Sequence, residues 1–429
     1  VTNARATPAI GPSLQAGAPA GEAVASSGAR PEPRPLRHGL RLLAVLGTLL
    51  AFASISTDLY LPALPGMGIA LGAGQSLLEL TISSYLIGFG AGQLFWGPIG
   101  DRYGRRGPVA VGLLVFVVGA AGCALATSAP QLIGWRVVQA LGASAGVVLA
   151  RAMVRDLYDR DRAARMLSIL MTVMAIAPLL GPSLGGQILR VAPWQAIFWT
   201  LVAIGLTTFA SLFTLPETLP PERRDTTPLR RAVAGYGPLL GDRRLLGYAG
   251  ACGFYYAGIF ASVAGTPFAY IGYYKLSPQL YGALFAAGTI GLMIANVVNS
   301  RLVTRFGSDR LLRLGTIGAA LTGGVVALVS TTDWGGLFGL AASLIVFGAM
   351  NGFIVANAIA GALSSFPTRA GAVSALVGAI QYGSGMIGSA VAGAFADGTP
   401  GPMGWVIALS GIGSLLSLTL AGRRRGAPL

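Results

Sequence analysis

Asp101-Arg102-Tyr103-Gly104-Arg105-Arg106 and Thr304-Arg305-Phe306-Gly307-Ser308-Asp309 stand 203 residues apart in a chain of 429, each in the short polar interval after an apolar run. The pair marks an internal repeat, which gene duplication explains better than chance. Outward from these loops, windows of about 20 apolar residues, enough for a helix to cross a bilayer, recur near 40–64, 78–98, 107–127, 131–152, 166–189 and 195–215. They recur again near 246–271, 280–301, 311–330, 336–360, 370–395 and 403–421. The polar stretch from Pro216 to Leu245 divides six from six. Only 10% of residues are charged and 54% are hydrophobic, against about 25% charged in soluble domains. The expected fold is an all-α membrane protein of twelve transmembrane helices in two pseudo-symmetric six-helix bundles. Its expected parts are a tail over 1–38, bundles over 39–215 and 246–421, a linker over 216–245 and a second tail over 422–429.

Thirty Lys and Arg residues give the chain a net charge of +15. Twenty-seven fall on alternate sides of the apolar segments: in the N-terminal tail, at Arg102, Arg105 and Arg106, over Arg151 to Arg165, Arg223 to Arg244 and Arg301 to Arg313, at Arg369, and at Arg423 to Arg425. Arg190 and Lys275 fall on the other side, and Arg136 lies within a span. That asymmetry places the arginine-rich face and both termini in the cytoplasm. Short cationic loops between spans meet anionic lipid, so the lipid bilayer is an expected partner and nucleic acid is not. The Ala-, Gly- and Pro-rich tail has too few large apolar groups to order itself. The first apolar stretch is span-length and ends in Leu-Pro, so no cleavable signal peptide is expected. Cys123, Cys252 and His38 are too few and too scattered for a metal site, a disulfide framework or a hydrolase triad. No phosphate-binding loop is present. No cofactor, no metal and no enzyme activity is expected, and the chain is expected to be a monomer.

Gly97-Pro98-Ile99-Gly100-Asp101-Arg102-Tyr103-Gly104-Arg105-Arg106 resembles the signature loop between helices two and three of the major facilitator superfamily. Arg136-x-x-Gln139-Ala140-x-Gly142 resembles its helix-four motif, and Gly181-Pro182-Ser183-Leu184-Gly185-Gly186 its helix-five antiporter motif. Ser56-Thr57-Asp58-Leu59-Tyr60-Leu61-Pro62-Ala63-Leu64-Pro65, Glu217-Thr218-Leu219-Pro220-Pro221-Glu222-Arg223-Arg224 and Asn299-Ser300-Arg301 look like the Bcr/CflA branch of drug:proton antiporters, most like its bicyclomycin-resistance members. The resemblance runs over nearly the whole chain after the tail, with two departures: Ala140 where the pattern has Gly, and Glu79 where an uncharged polar residue is expected. It implies the major facilitator fold in the bacterial inner membrane. It also implies proton-coupled efflux of a small antibiotic-like drug of bicyclomycin or amphenicol type, with drug and protons as the ligands. The alternative is export of a metabolite such as an amino acid or sugar derivative.

Asp58 stands out on physical grounds, because a carboxylate within a span is costly unless protonated, paired or watered. Held between desolvation and a nearby cation, it could exchange a proton with either face. The bland reading is a solvated carboxylate at the helix end. Arg136 cannot neutralise itself and must find acceptors, with Asp58, Gln139 and backbone carbonyls as candidates. At about 1.5 Å per residue both groups fall in the outer half of the membrane, so pairing is allowed. Arg136 either tunes the protonation of Asp58 or is a static clamp.

Gly97, Asp101, Arg102, Gly104 and Arg105 are expected to form a gate on the cytoplasmic rim, where Asp101 would accept from helix amides or from an arginine across the halves. A tight turn with topogenic arginines is the plainer alternative. Gly181, Pro182 and Gly185 allow a helix to bend or seal, or pack as an ordinary kink. Candidates to line a substrate cavity are Asp58, Tyr60, Tyr85, Gln139, Phe254, Tyr255, Tyr256, Asn296, Gln381 and Tyr382, each of which could equally be packing.

Overall fold

A computed structural model describes residues 36–158, 160–224, 237–364, 366 and 370–420. The expected tails up to residue 35 and over 422–429, the middle of the linker with Asp225, Arg230 and Arg231, and Arg369 lie outside the described residues. The first six spans are Leu36–Asp58, Gln75–Tyr103, Arg106–Ala124, Ala129–Leu157, Arg160–Val191 and Gln195–Leu212. The next six are Arg243–Pro267, Pro278–Phe306, Ser308–Thr332, the pair Gly336–Ala349 and Asn351–Ser364, then Ala370–Ala394 and Gly401–Leu420. Ten of these helical stretches are long and apolar enough to cross a membrane. The second and seventh are long enough, at 29 and 25 residues, but are diluted by Gln75, Glu79 and Gln93 in one and by tyrosines and glycines in the other. Both are shielded by other helices, the second by the fourth and eleventh and the seventh by the eleventh and twelfth.

The first regular helix stops before its apolar window does, within a span that runs on to Ala70. Its helix ends at Asp58, and the chain continues as a buried 3-10 turn, Leu61–Ala63, and a short helix, Leu64–Ala70. Pro62 and Pro65 explain the break, since proline has no N–H to give to the carbonyl four residues earlier. Asp58 is therefore the last residue of its helix, although the apolar window runs on to about residue 64.

The helix contacts repeat at a spacing of six. The first span packs on the fourth and fifth as the seventh does on the tenth and eleventh; the second on the fourth as the eighth on the tenth; the third on the sixth as the ninth on the twelfth. Glycines mark the same duplication. Gly104 and Gly307 both turn the chain after their helices with positive φ, +92° and +80°. Gly185 of the fifth span lies against the carbonyl of Leu59, and Gly388, again 203 residues on, against that of Ala257. A side chain at either would collide with backbone.

The halves meet along two seams that this symmetry exchanges, second span on eleventh and fifth on eighth. Along the first, Ser76 Oγ donates to the Gly393 carbonyl at 2.5 Å, the Ser83 and Ser389 hydroxyls lie 2.7 Å apart, and the rings of Phe89 and Tyr382 meet edge-on at 4.8 Å. Along the second, Gln279 Nε2 donates to the Gly186 carbonyl at 2.9 Å, and Gly282 fits against the backbone of Ser183. The Leu61–Ala63 turn packs on the seventh and eighth spans. Among the described residues the hydrogen bonds across the halves thus lie toward the face that carries Arg190 and Lys275, so the arginine-poor side is sealed.

Candidate functional site

Arg136 enters the site because the first helix stops early. A helix end leaves its last carbonyls without partners, and the fully buried Arg136 takes one of them: Nη1 donates to the Ser56 carbonyl at 3.0 Å and to Gln139 Oε1 at 2.7 Å. Its guanidinium carbon lies 4.3 Å from the ring centre of Tyr60 and 4.2 Å from that of Tyr85. Each ring contributes about 2 kcal/mol at a desolvated site. The Tyr60 hydroxyl is bonded to Thr81 at 2.9 Å. Arg136 Nε and Nη2 and Gln139 Nε2 are buried without a hydrogen-bond partner among the described residues, and the hydroxyls of Tyr85 and Ser56 lie close to each other. The cluster thus has polar capacity to spare.

Asp58 is 7% exposed. A Cβ at Gly181 would stand 2.8 Å from its own Cβ, so the missing side chain lets the fifth span close on it. It is near enough to Tyr85 and to Tyr281 of the eighth span to interact electrostatically with both. Its carboxyl thus lies between the halves, beneath the Leu61–Ala63 turn. Among the described residues it has no hydrogen-bond or ion-pair partner. Of the candidate acceptors for Arg136, Gln139 and a backbone carbonyl are taken through Nη1, and Asp58 is not.

Tyr85 stacks on Phe89 at 6.2 Å, and from Phe89 the aromatic contacts cross the halves to Tyr382 and on to Tyr256 and Phe260, 6.1 and 6.2 Å from it. The Tyr256 hydroxyl lies within reach of Asn351 and Gln381. Of the expected cavity residues, Tyr256, Gln381 and Tyr382 come together at this crossing. Tyr60, Tyr85 and Gln139 are instead committed to holding Arg136. Tyr255 is fully buried and donates to the carbonyls of Phe347 and Gly348 at 2.9 and 3.1 Å. Phe254, 49% exposed, packs on Gly413 at the flank, and Asn296 is exposed on the eighth span. Sequence reasoning missed Phe89, Phe260 and Asn351, although Phe89 and Phe260 each stand one helical turn from a named tyrosine. A groove of about 800 Å³ on the flank of the first, fifth and sixth spans reaches Leu59 and Gly181, behind Asp58.

On the arginine-rich side, Asp101 is bound within its own half. Arg105 donates through Nη1 to Asp101 at 2.6 Å and through Nε to Asp156 at 2.7 Å. Glu217 accepts from the backbone amides of Arg105 and Arg106 at 2.8 and 3.1 Å, and from its neighbours Thr218 and Leu219. Burial alone would raise that carboxyl, but the four amides outweigh it and hold it below the usual glutamate range. Gly104 has the positive φ this turn requires and faces Glu217. Arg102 is exposed and lies over the Tyr103 ring. Gly97 is half-buried beside Val148. Asp156 was not singled out in the sequence, where it is one charge among several at a helix end.

The family model described as Major Facilitator Superfamily matches residues 45–389. The chain is 32% identical over 363 residues to the bicyclomycin resistance protein homolog of Haemophilus influenzae, covering 84% of this chain and 91% of that one. It is 34% identical over 345 residues to the chloramphenicol resistance protein of Pseudomonas aeruginosa, covering 77% and 79%. Among solved structures, a point mutant of the nucleoside transporter NupG superposes with a TM-score of 0.71 over 89% of this chain and 98% of that one, at 13% identity, a likeness of fold.

Proposed function

The chain belongs to the major facilitator superfamily, and on that footing we propose that it exports small, largely uncharged antibiotic-like compounds of bicyclomycin or amphenicol type in exchange for protons. Its setting is the bacterial inner membrane with both termini cytoplasmic. The names of the two drug-resistance relatives support the substrate class, and the arginine asymmetry supports the orientation. In that orientation the sealed face is the outer one.

The observation that carries the coupling is the unpaired Asp58 carboxyl between the halves, sealed from the outer side and adjoining the Arg136 cluster. A lone carboxylate there is costly, so sealing the outer face favours a bound proton. The outward-open state loads Asp58 from outside. Closure carries the proton inward, and its release to the cytoplasm accompanies the arrival of drug at Tyr256, Gln381 and Tyr382. Exchange requires that proton and drug bind the two states with different affinity. Arg136 supplies the link: its Nε and Nη2, which have no hydrogen-bond partner among the described residues, can take Asp58 when it is ionised. Proteoliposomes carrying Asp58→Asn should show no proton-driven drug transport while still exchanging drug for drug. Wild-type proton-driven transport by that variant removes Asp58 from the mechanism.

A further inference from the structure

The described spans bury a second carboxylate that the cycle above does not use. Glu79 is 1% exposed and sits near the arginine-poor end of the second span, on the seam with the eleventh. Its Oε1 accepts from Gln75 Nε2 at 2.7 Å, while Oε2 is buried with no hydrogen-bond partner among the described residues. It is pressed against the other half, since a Cβ at Gly393 would lie 3.0 Å from Glu79 Cβ and 3.2 Å from Oε2. The hydrogen bonds of Ser76 to Gly393 and of Ser83 to Ser389 bracket it on the same seam. Closing the seam therefore encloses the carboxyl, and parting the halves gives it back to water.

The neighbours supply little countercharge. The eleventh span has no charged residue, and Tyr382 is its one titratable group. The stretch from Leu59 to Gly74 offers Tyr60, which is bonded to Thr81. The fourth span contributes Arg136, held by Ser56 and Gln139, with Arg151, Arg155 and Asp156 at its far end. The third presents Cys123, with Arg106 at the far end, and the seventh its tyrosines and Cys252, with Arg243 and Arg244 at the far end. Enclosing an ionised group without a cation is expensive, whereas the neutral acid is an ordinary polar group.

We propose that Glu79 is a second proton-binding site, one that latches the outer seam. It takes a proton from the outer side as the halves close and returns it to that side as they part. Net proton flow therefore stays with Asp58. The latch lets external acidity favour the inward-facing state, the direction in which an inward proton gradient drives export. This rests on the antiport reading for its purpose, although the latch itself is a property of the seam.

Spin labels on Leu77→Cys and Phe395→Cys, exposed positions beside the seam on the two halves, with Cys123 and Cys252 replaced by alanine, report the seam as a distance by double electron–electron resonance. In full-length protein carrying Asp58→Asn, the ratio of open to closed seam should rise about tenfold per pH unit across the titrating range, as one-proton linkage requires. Adding Glu79→Gln should hold the seam closed at every pH. A seam that ignores pH with Glu79 intact, or that keeps its pH dependence with Glu79→Gln, overturns the latch. If Glu79→Gln does not fold, Gln75→Leu serves instead. Loss of the donor to the carboxylate should move the midpoint to higher pH, and an unmoved midpoint is equally fatal. Transport by Asp58→Asn alone decides the antiport reading separately.

Discussion

Between Leu36 and Leu212 the buried polar residues include four charged ones, Asp58, Glu79, Arg105 and Arg136. Between Arg243 and Leu420 the buried polar side chains among the described residues are neutral, Thr266, Asn299, Thr316, Asn357 and Gln381 among them. The same division holds at the repeated loops. Arg105 ties Asp101 to Asp156, whereas in the second half the Tyr248 hydroxyl donates to Asp309 at 3.0 Å. The helix plan and its glycines were kept in both halves, but the ionisable groups are concentrated in one. That half can respond to protons, while the other offers the aromatic and amide surface of Tyr256, Asn351, Gln381 and Tyr382.

If the glycines at 185 and 388 do one job twice, substituting either should be equally damaging. Gly185→Leu and Gly388→Leu each drive a side chain into a helix backbone and should cost about 3 kcal/mol, read as loss of monodisperse protein and a lowered Tm. Tolerance at one position alone would break the equivalence. The loops should differ. Arg105→Ala strands two carboxylates and should cost about 2 kcal/mol after allowance for the exposed side of Asp101. Tyr248→Phe should cost about 1 kcal/mol. Equal losses in thermal unfolding would show that the first loop gains nothing from its ion pairs.

The smallest effect concerns Glu217. Its folded-state pKa lies below the unfolded value, so its contribution is fully present above the ordinary glutamate range and disappears as pH falls through the folded value. Glu217→Gln should lower the Tm at pH 7, with the gap to wild type closing in acid. A gap that persists undiminished at pH 3 would mean that shape, and not charge, holds the turn.

Much of the site was legible because membrane burial makes charge conspicuous. Asp58 and Arg136 could be singled out from one sequence since each is costly within a span. Their partners could not be. Whether Arg136 met Asp58 or a carbonyl depended on where the first helix ended, and Pro62 and Pro65 stopped it before its apolar window ran out. The cavity residues were least legible. Tyr255 and Tyr256 are adjacent in sequence, yet one is buried in its own half and the other faces the crossing, because neighbouring helix positions point about 100° apart.

The number of spans, the duplication and the asymmetry of charge can be read along the chain, because a bilayer responds to length, apolarity and arginine without reference to fold. Which carboxyls lie on the seams, which tyrosines hold Arg136 and which face the other half follow from the packing of the helices. Those are matters of helix phase and contact between distant segments, and they are settled only when the two bundles close against each other.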